Sequence, residues 1–212
     1  MADDATVHVI DDDAAVRGSL AFLLEAAGFT VRSYGSAIDF LAVVGGLGAG
    51  CVLTDVRMPG FDGLALLRRL AELGVAMPVI VMTGHADVPL AVQALKQGAL
   101  DFIEKPFEND RLLSAVRGAL VAGHRRHAEA AALEVTVARL ASLTPREREV
   151  LDGLIAGNPN KTIAHALGAS PRTIEVHRGR VMEKMQARGL ADLISMVLAT
   201  DRADVSGKSR RS

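Results

Sequence analysis

The chain has 212 residues, half of them hydrophobic, so one or two domains with full cores can form. Its aromatics are sparse (Phe 6, Tyr 1, Trp 0), which argues against a base-stacking nucleic-acid binder or an aromatic ligand cage. A net charge of −1 hides an asymmetry: residues 1–122 hold 9 Lys+Arg and 15 Asp+Glu, a net of −6, and residues 123–212 hold 15 and 10, a net of +5, which points to an acidic regulatory or catalytic half and a basic half that touches nucleic acid.

From the N-terminus, the acids Asp3 and Asp4 precede the first apolar run, the wrong sign for a signal peptide. No run of about 18 apolar residues is free of charge, so no membrane span is expected. The single Cys51 excludes an internal disulfide or a cysteine zinc site, and it fits a reducing, cytoplasmic setting. Short apolar runs at 6–10, 30–34, 51–54, 78–82 and 101–104 read as strands. Segments 14–27, 37–44, 63–73, 88–97 and 108–120 carry apolar residues at helical spacing. The alternation predicts βαβ units and a parallel sheet covered on both faces, which fits strands that are apolar without clean alternation. Residues 45–50 are glycine-rich but lack the Lys-Ser/Thr of a phosphate loop and read as a plain connection.

Residues 117–142 are rich in Ala and contain no Pro, so a helical connector is predicted. Leu133, Val137 and Leu140 form one apolar stripe there, expected to pack on a neighbouring domain, with a dimer seam as the alternative. Thr144-Pro145-Arg146-Glu147 is a helix start with a capping residue, a first-turn Pro and a Glu three after the cap. Helices at 161–167 and 171–185, joined by Gly168-Ala169-Ser170, make a helix-turn-helix pattern. The expected division is 1–122, a linker at 123–142, a helical domain at 143–199 and a disordered basic tail at 200–212.

The chemistry concentrates at strand ends. Asp11, Asp12 and Asp13 follow the first strand, Asp55 the third, Thr83 the fourth and Lys105 the fifth. In an open parallel sheet these ends share one edge, so carboxylates, a hydroxyl and an ammonium can meet in one cleft. Clustered carboxylates need a compensating cation, and oxygen ligands with open water positions suit Mg²⁺. Such a set is equipped for phosphoryl transfer to an aspartate. Asp13 and Asp62 read as helix caps, His124 and His127 as an exposed face, and Cys51 as core.

Val-Ile-Asp-Asp-Asp (9–13), Thr-Asp-Val-Arg-Met-Pro-Gly-Phe-Asp-Gly (54–63), Met-Thr-Gly-His-Ala-Asp-Val (82–88) and Phe-Ile-Glu-Lys-Pro-Phe (102–107) resemble a response-regulator receiver. Leu-Thr-Pro-Arg-Glu-Arg-Glu-Val-Leu (143–151) with Thr-Ile-Glu-Val-His-Arg (173–178) resembles a LuxR-type helix-turn-helix. Together they resemble the NarL/FixJ group of two-component response regulators, and residues 83–92 are most similar to its FixJ members. The resemblance implies a flavodoxin-like α/β receiver with strand order 2-1-3-4-5, a helical connector and an all-α four-helix DNA-binding domain.

It also implies roles. Asp55 accepts the phosphoryl group. Asp12 binds Mg²⁺ (or Mn²⁺) with Asp11, Asp55 and the backbone carbonyl of Arg57. Lys105 and Thr83 contact phosphoryl oxygens, Phe102 takes the aromatic switch position, and Pro106 holds the position where the family often has a cis bond. Arg57 and His85 flank the acyl phosphate and tune its hydrolysis. Glu175, Val176 and Gly179 face bases; Lys161, Arg172, Thr173, His177, Arg178 and Arg180 hold phosphates; Ile174 and Val181 face the core. Segment 172–188 carries five basic side chains, with Lys184 and Arg188 completing the set. Val92, Lys96, Asp101 and Arg111 are expected on a dimer face, with Lys96 of one chain meeting Asp101 of the other.

The implied protein is a transcription activator, not an enzyme beyond accepting and shedding its own phosphoryl group. Its implied partners are a sensor histidine kinase (FixL-like and oxygen-sensing), promoter DNA, RNA polymerase and a second copy, with nitrogen-fixation genes as targets under low oxygen. Three other readings fit less well. A phosphatase of haloacid dehalogenase type needs a later acidic pair on a strand, yet the acids just after Lys105, Glu108 and Asp110, stand past Pro106 at a helix start, and Asp55 stays unexplained. A quorum-type regulator with a small-molecule pocket lacks its Trp. A DNA-binding regulator independent of phosphorylation leaves the acidic cluster idle.

Overall fold

The computed structural model describes residues 5–84 and 88–209, with side chains through 201. The chain divides into two compact units, Met1–Glu129 and Ala130–Ser212.

The first unit is built on five parallel strands: β1 (Thr6–Ile10), β2 (Thr30–Tyr34), β3 (Gly50–Asp55), β4 (Val79–Thr83) and β5 (Asp101–Glu104). Their order is β2-β1-β3-β4-β5, so the chain reverses direction across the sheet between β1 and β3, where a cleft opens at the carboxyl ends. Strands β3 and β4 are buried along their whole length, which is why their sequences run apolar rather than alternating. One face is covered by α2 (Ala37–Val43), α3 (Gly63–Glu72) and α4 (Val88–Lys96), packing Phe40, Leu66, Leu70 and Ala94 on Val52 and Val81. The other is covered by α1 (Ala14–Ala26) and α5 (Asn109–Ala141), packing Leu20, Leu24, Leu112 and Val116 on Val9, Leu53 and Ile80. Asp13 caps α1 by accepting from the amides of Ala15 and Val16, and Asp62 caps α3 by accepting from Ala65.

The helical connector expected across residues 117–142 lies on one helix with the segment before it. Helix α5 runs unbroken for 33 residues, and the division between units falls inside it. Gly123, expected in the linker, still packs on the first unit: a Cβ there would meet the Gly50 carbonyl oxygen at 2.4 Å. Only glycine permits that approach of helix backbone to strand backbone. The apolar stripe of the connector splits, since Leu140 is buried in the second unit's core and Val137 is 51% exposed.

The second unit holds α6 (Pro145–Ile155), α7 (Asn160–Ala166), α8 (Pro171–Met185) and α9 (Leu190–Ser209). Thr144 and Glu147 form the expected capping box, and Ser170 caps α8 through the Thr173 amide. Val150, Leu151, Leu154, Ile163, Ile174, Val181, Met185 and Leu193 fill its core. Gly168, at φ 59°, makes the left-handed turn between α7 and α8. The tail expected to be disordered from residue 200 is instead helical to Ser209, a continuation of α9 in a stretch without Pro to stop it. Among the described residues no helix is long and apolar enough to cross a membrane.

Candidate functional site

The cleft collects side chains from four strand ends. Asp11 follows β1 and is 2% exposed, Asp55 closes β3 at 8%, Thr83 closes β4 and is buried, and Lys105 follows β5. The Lys105 Nζ donates to Asp55 Oδ1 at 2.7 Å and to Asp11 Oδ2 at 2.8 Å. The remaining carboxylate oxygens are held by backbone: Asp55 Oδ2 accepts from the Arg57 amide at 2.6 Å, and Asp11 Oδ1 accepts from the Asp13 amide at 3.0 Å. Two carboxylates this close repel, and the shared ammonium between them offsets that repulsion. Burial opposes the charge of Lys105, but the hydrogen bonds to Asp11 and Asp55 outweigh it and raise its pKa above the usual lysine value.

Local structure sets the lysine and the acceptor. The Lys105 amide donates to the Thr83 carbonyl at 2.7 Å, and the Lys105–Pro106 peptide is cis. Gly63 opens α3 directly against β3: a Cβ there would meet the Asp55 carbonyl oxygen at 2.2 Å. Phe102 is half-buried on β5 and packs on the first core, Arg57 is exposed, and His85 lies outside the described residues.

A hard divalent cation takes carboxylate and carbonyl oxygens and keeps several waters. Asp11 and Asp55 bring oxygens of that kind to one point with exposed Asp12 next in sequence, so the donor chemistry fits Mg²⁺ or Mn²⁺. Among the described residues no three His, Cys, Asp or Glu side chains are already gathered around a common centre. The Lys105 ammonium stands between Asp11 and Asp55 instead.

On α8, Glu175, Val176, Arg172, Thr173 and Arg180 are exposed, as is Lys161 on α7, while Ile174 and Val181 are buried as expected. The position of Gly179 faces open space. Two expected phosphate contacts are less available. Arg178 is half-buried in a groove that it shares with Glu175, Asn158 and Lys161. His177 is half-buried, with a buried Nδ1 that has no hydrogen-bond partner among the described residues. Lys184 is committed inside the unit: its Nζ donates to Glu147 Oε2 at 2.7 Å and to the Ser142 carbonyl at 3.1 Å. Glu147 is 3% exposed, and its bonds from Lys184 and the Thr144 amide hold its carboxyl down to about 2. Arg139 on α5 donates to the Met185 carbonyl at 3.1 Å and to the Gln186 side chain, tying the connector to the end of α8. The capping box was the only sequence signal for this cluster; nothing local pointed to Lys184 or Arg139.

On α4, Val92 and Lys96 are exposed, beside further exposed apolar residues Val88 and Leu95. Asp101 and Arg111 are paired with each other within the chain. Arg111 Nη2 donates to Asp101 Oδ1 at 2.8 Å, and that oxygen also accepts from the Phe102 amide.

Fold and cleft together define a phosphoacceptor receiver followed by a helix-turn-helix unit. Residues 7–117 match the response regulator receiver domain, and residues 141–197 match the bacterial regulatory proteins of the luxR family. The chain belongs to the two-component response regulators of the NarL/FixJ group. It is 52% identical over 197 residues to the transcriptional regulatory protein FixJ of Bradyrhizobium diazoefficiens, covering 91% of this chain and 94% of that one. It is 47% identical over 193 residues to the C4-dicarboxylate transport transcriptional regulatory protein DctR of Rhodobacter capsulatus, covering 90% and 98%. The solved structure of the response regulator StyR matches with a TM-score of 0.78 at 38% identity, covering 91% of this chain and 98% of that one. The protein is therefore a phosphorylation-dependent transcription regulator and not an enzyme, working between a histidine kinase and promoter DNA.

Proposed function

We propose that a sensor histidine kinase phosphorylates Asp55, and that the phosphorylated protein dimerises, binds promoter DNA and, with RNA polymerase, activates transcription. The observation that carries this reading is the single Lys105 ammonium shared between Asp55 and Asp11 at the carboxyl edge of the sheet. An Asp55 carboxylate oxygen attacks the phosphorus of phosphohistidine. The P–O bond forms, the P–N bond breaks, and the imidazole leaves with the electron pair. Asp11, Asp12, Asp55 and the Arg57 carbonyl would hold Mg²⁺ or Mn²⁺, which when bound neutralises phosphoryl charge. Lys105 exchanges its Asp55 contact for a phosphoryl oxygen, the Thr83 hydroxyl takes another, and Phe102 turns into the space Thr83 leaves. Arg57 and His85 limit water access to the acyl phosphate. The exposed α4 residues Val92 and Lys96, with the Asp101–Arg111 pair, form the dimer face. Glu175, Val176 and Gly179 meet base edges, with phosphates held by Lys161, Arg172, Thr173 and Arg180, and by His177 and Arg178 at their exposed edges.

The likeness to FixJ supports a cytoplasmic regulator of nitrogen-fixation genes, driven by a FixL-like oxygen-sensing kinase. The likeness to DctR supports a second reading, control of C4-dicarboxylate transport. Phosphotransfer from purified candidate kinases, followed by sedimentation and gel shifts on both promoter classes, tests these readings. Label absent from Asp55→Asn, with dimers and a nitrogen-fixation promoter shift appearing only after phosphorylation, is the expected result. Label persisting in Asp55→Asn overturns the acceptor assignment, and a shift confined to the dicarboxylate promoter overturns the regulon.

A further inference from the structure

Arg17 lies on α1, half-buried, one turn beyond the Asp13 cap. Its Nη1 donates to the Asp11 carbonyl oxygen at 2.7 Å and lies 3.5 Å from the Asp12 carbonyl oxygen. The same loop is drawn in from the other side, where Asp11 Oδ1 accepts from the Asp13 amide and the Asp11 amide donates to the Tyr34 carbonyl at 3.3 Å. Without Arg17 the carbonyls of Asp11 and Asp12 lose their link to α1, and Asp11 is left with the Lys105 bond, the Asp13 amide and its own amide bond to Tyr34. A charged donor on a carbonyl makes a short, strong bond.

We infer that Arg17 is a positioning residue of the phosphoacceptor cleft, clamping the Asp11 carbonyl so that the Asp11 and Asp12 carboxylates are preset for a divalent cation. The inference rests on the proposed reading of the cleft as a cation site. Groups that orient metal ligands act on affinity, and their loss typically weakens binding about 10- to 100-fold. The guanidinium also carries a positive charge close to the acids, which by itself would repel a cation. The clamp predicts the opposite sign on mutation, so the two roles separate cleanly.

The test is Mg²⁺ titration of the full chain by calorimetry, paired with the Mg²⁺ dependence of labelling by acetyl phosphate. Arg17→Ala is expected to weaken Mg²⁺ binding about tenfold and to raise the half-saturating Mg²⁺ concentration for labelling to match. Its labelling rate at saturating Mg²⁺ stays within about twofold, since Asp55 and Lys105 are untouched. The short contact uses one nitrogen, so Arg17→Lys recovers most of the affinity, and it keeps the test available should Arg17→Ala not fold. Unchanged or tighter Mg²⁺ binding in folded Arg17→Ala overturns the inference while leaving the cleft reading intact. Wild-type chain that binds no Mg²⁺ overturns both.

Discussion

At the scale of single residues, Lys105 decides the state of the cleft. It is the one cation bonded to both Asp11 and Asp55 among the described residues, and its raised pKa keeps it charged well past neutrality. Its stabilising contribution is therefore full below the ordinary lysine value of 10.5 and is lost only as pH climbs through the raised folded value. Lys105→Ala leaves two nearly buried carboxylates facing each other. We expect it to cost roughly 2 kcal/mol at pH 7 in chelator, measured by urea unfolding. Added Mg²⁺ restores part of the loss. A variant as stable as wild type in chelator at pH 7 contradicts this account. The residue types of the cleft were legible because each stands at the end of an apolar strand. Arg17 was not, because a lone arginine on an amphipathic helix reads as solvated surface until its carbonyl partner is known.

At the scale of elements, two contacts set the second unit and the long helix. Glu147 joins the first turn of α6 to Lys184 near the end of α8, and its carboxyl titrates near 2 in the fold against an ordinary 4.5. The bond therefore stabilises fully above about pH 4.5, and the stabilisation disappears as pH falls from there towards 2. Circular dichroism melts of residues 130–212 should show a midpoint that drops across that window. Glu147→Gln should melt lower at pH 7 and lose much of that drop; a variant with the wild-type acid profile rules the pair out as its cause. Gly123 governs the middle of α5, where it passes β3. Gly123→Ala forces a Cβ onto the Gly50 carbonyl, a backbone atom that cannot swing away. We expect a loss of about 1–3 kcal/mol in the first unit, with α5 lifted from the sheet edge, read by urea unfolding and by faster amide exchange at residues 119–126. Unaltered stability would show that the helix shifts there at no cost.

At the scale of the whole molecule, the acidic first half became a receiver and the basic second half a helix-turn-helix unit with a core of its own. A fragment of residues 130–212 should therefore bind promoter DNA without phosphorylation, by gel shift, more tightly than the unphosphorylated full chain. Equal affinities would mean that the receiver acts only through dimerisation. Within the fragment, Arg180→Ala should weaken binding to every sequence and lower the salt slope by about one, while Glu175→Ala should relax preference at one base pair by about 1–3 kcal/mol. Uniformly tighter binding by Glu175→Ala would make that acid a mere repeller of phosphate. The sequence by itself determined the five strands, the helix starts at Asp13, Asp62, Thr144 and Ser170, and the acids at the strand ends. Burial on two faces and amide capping are local demands that each segment meets with its own residues. Only the tertiary structure decided which charges meet within the chain: Lys105 with Asp11 across 94 positions, Lys184 with Glu147 across 37, and Asp101 with Arg111. It also decided where along α5 one unit gives way to the other. Helical spacing says that a segment is a helix, but where that helix leaves one core and enters another depends on close contacts such as Gly123 on Gly50, and no local pattern encodes those.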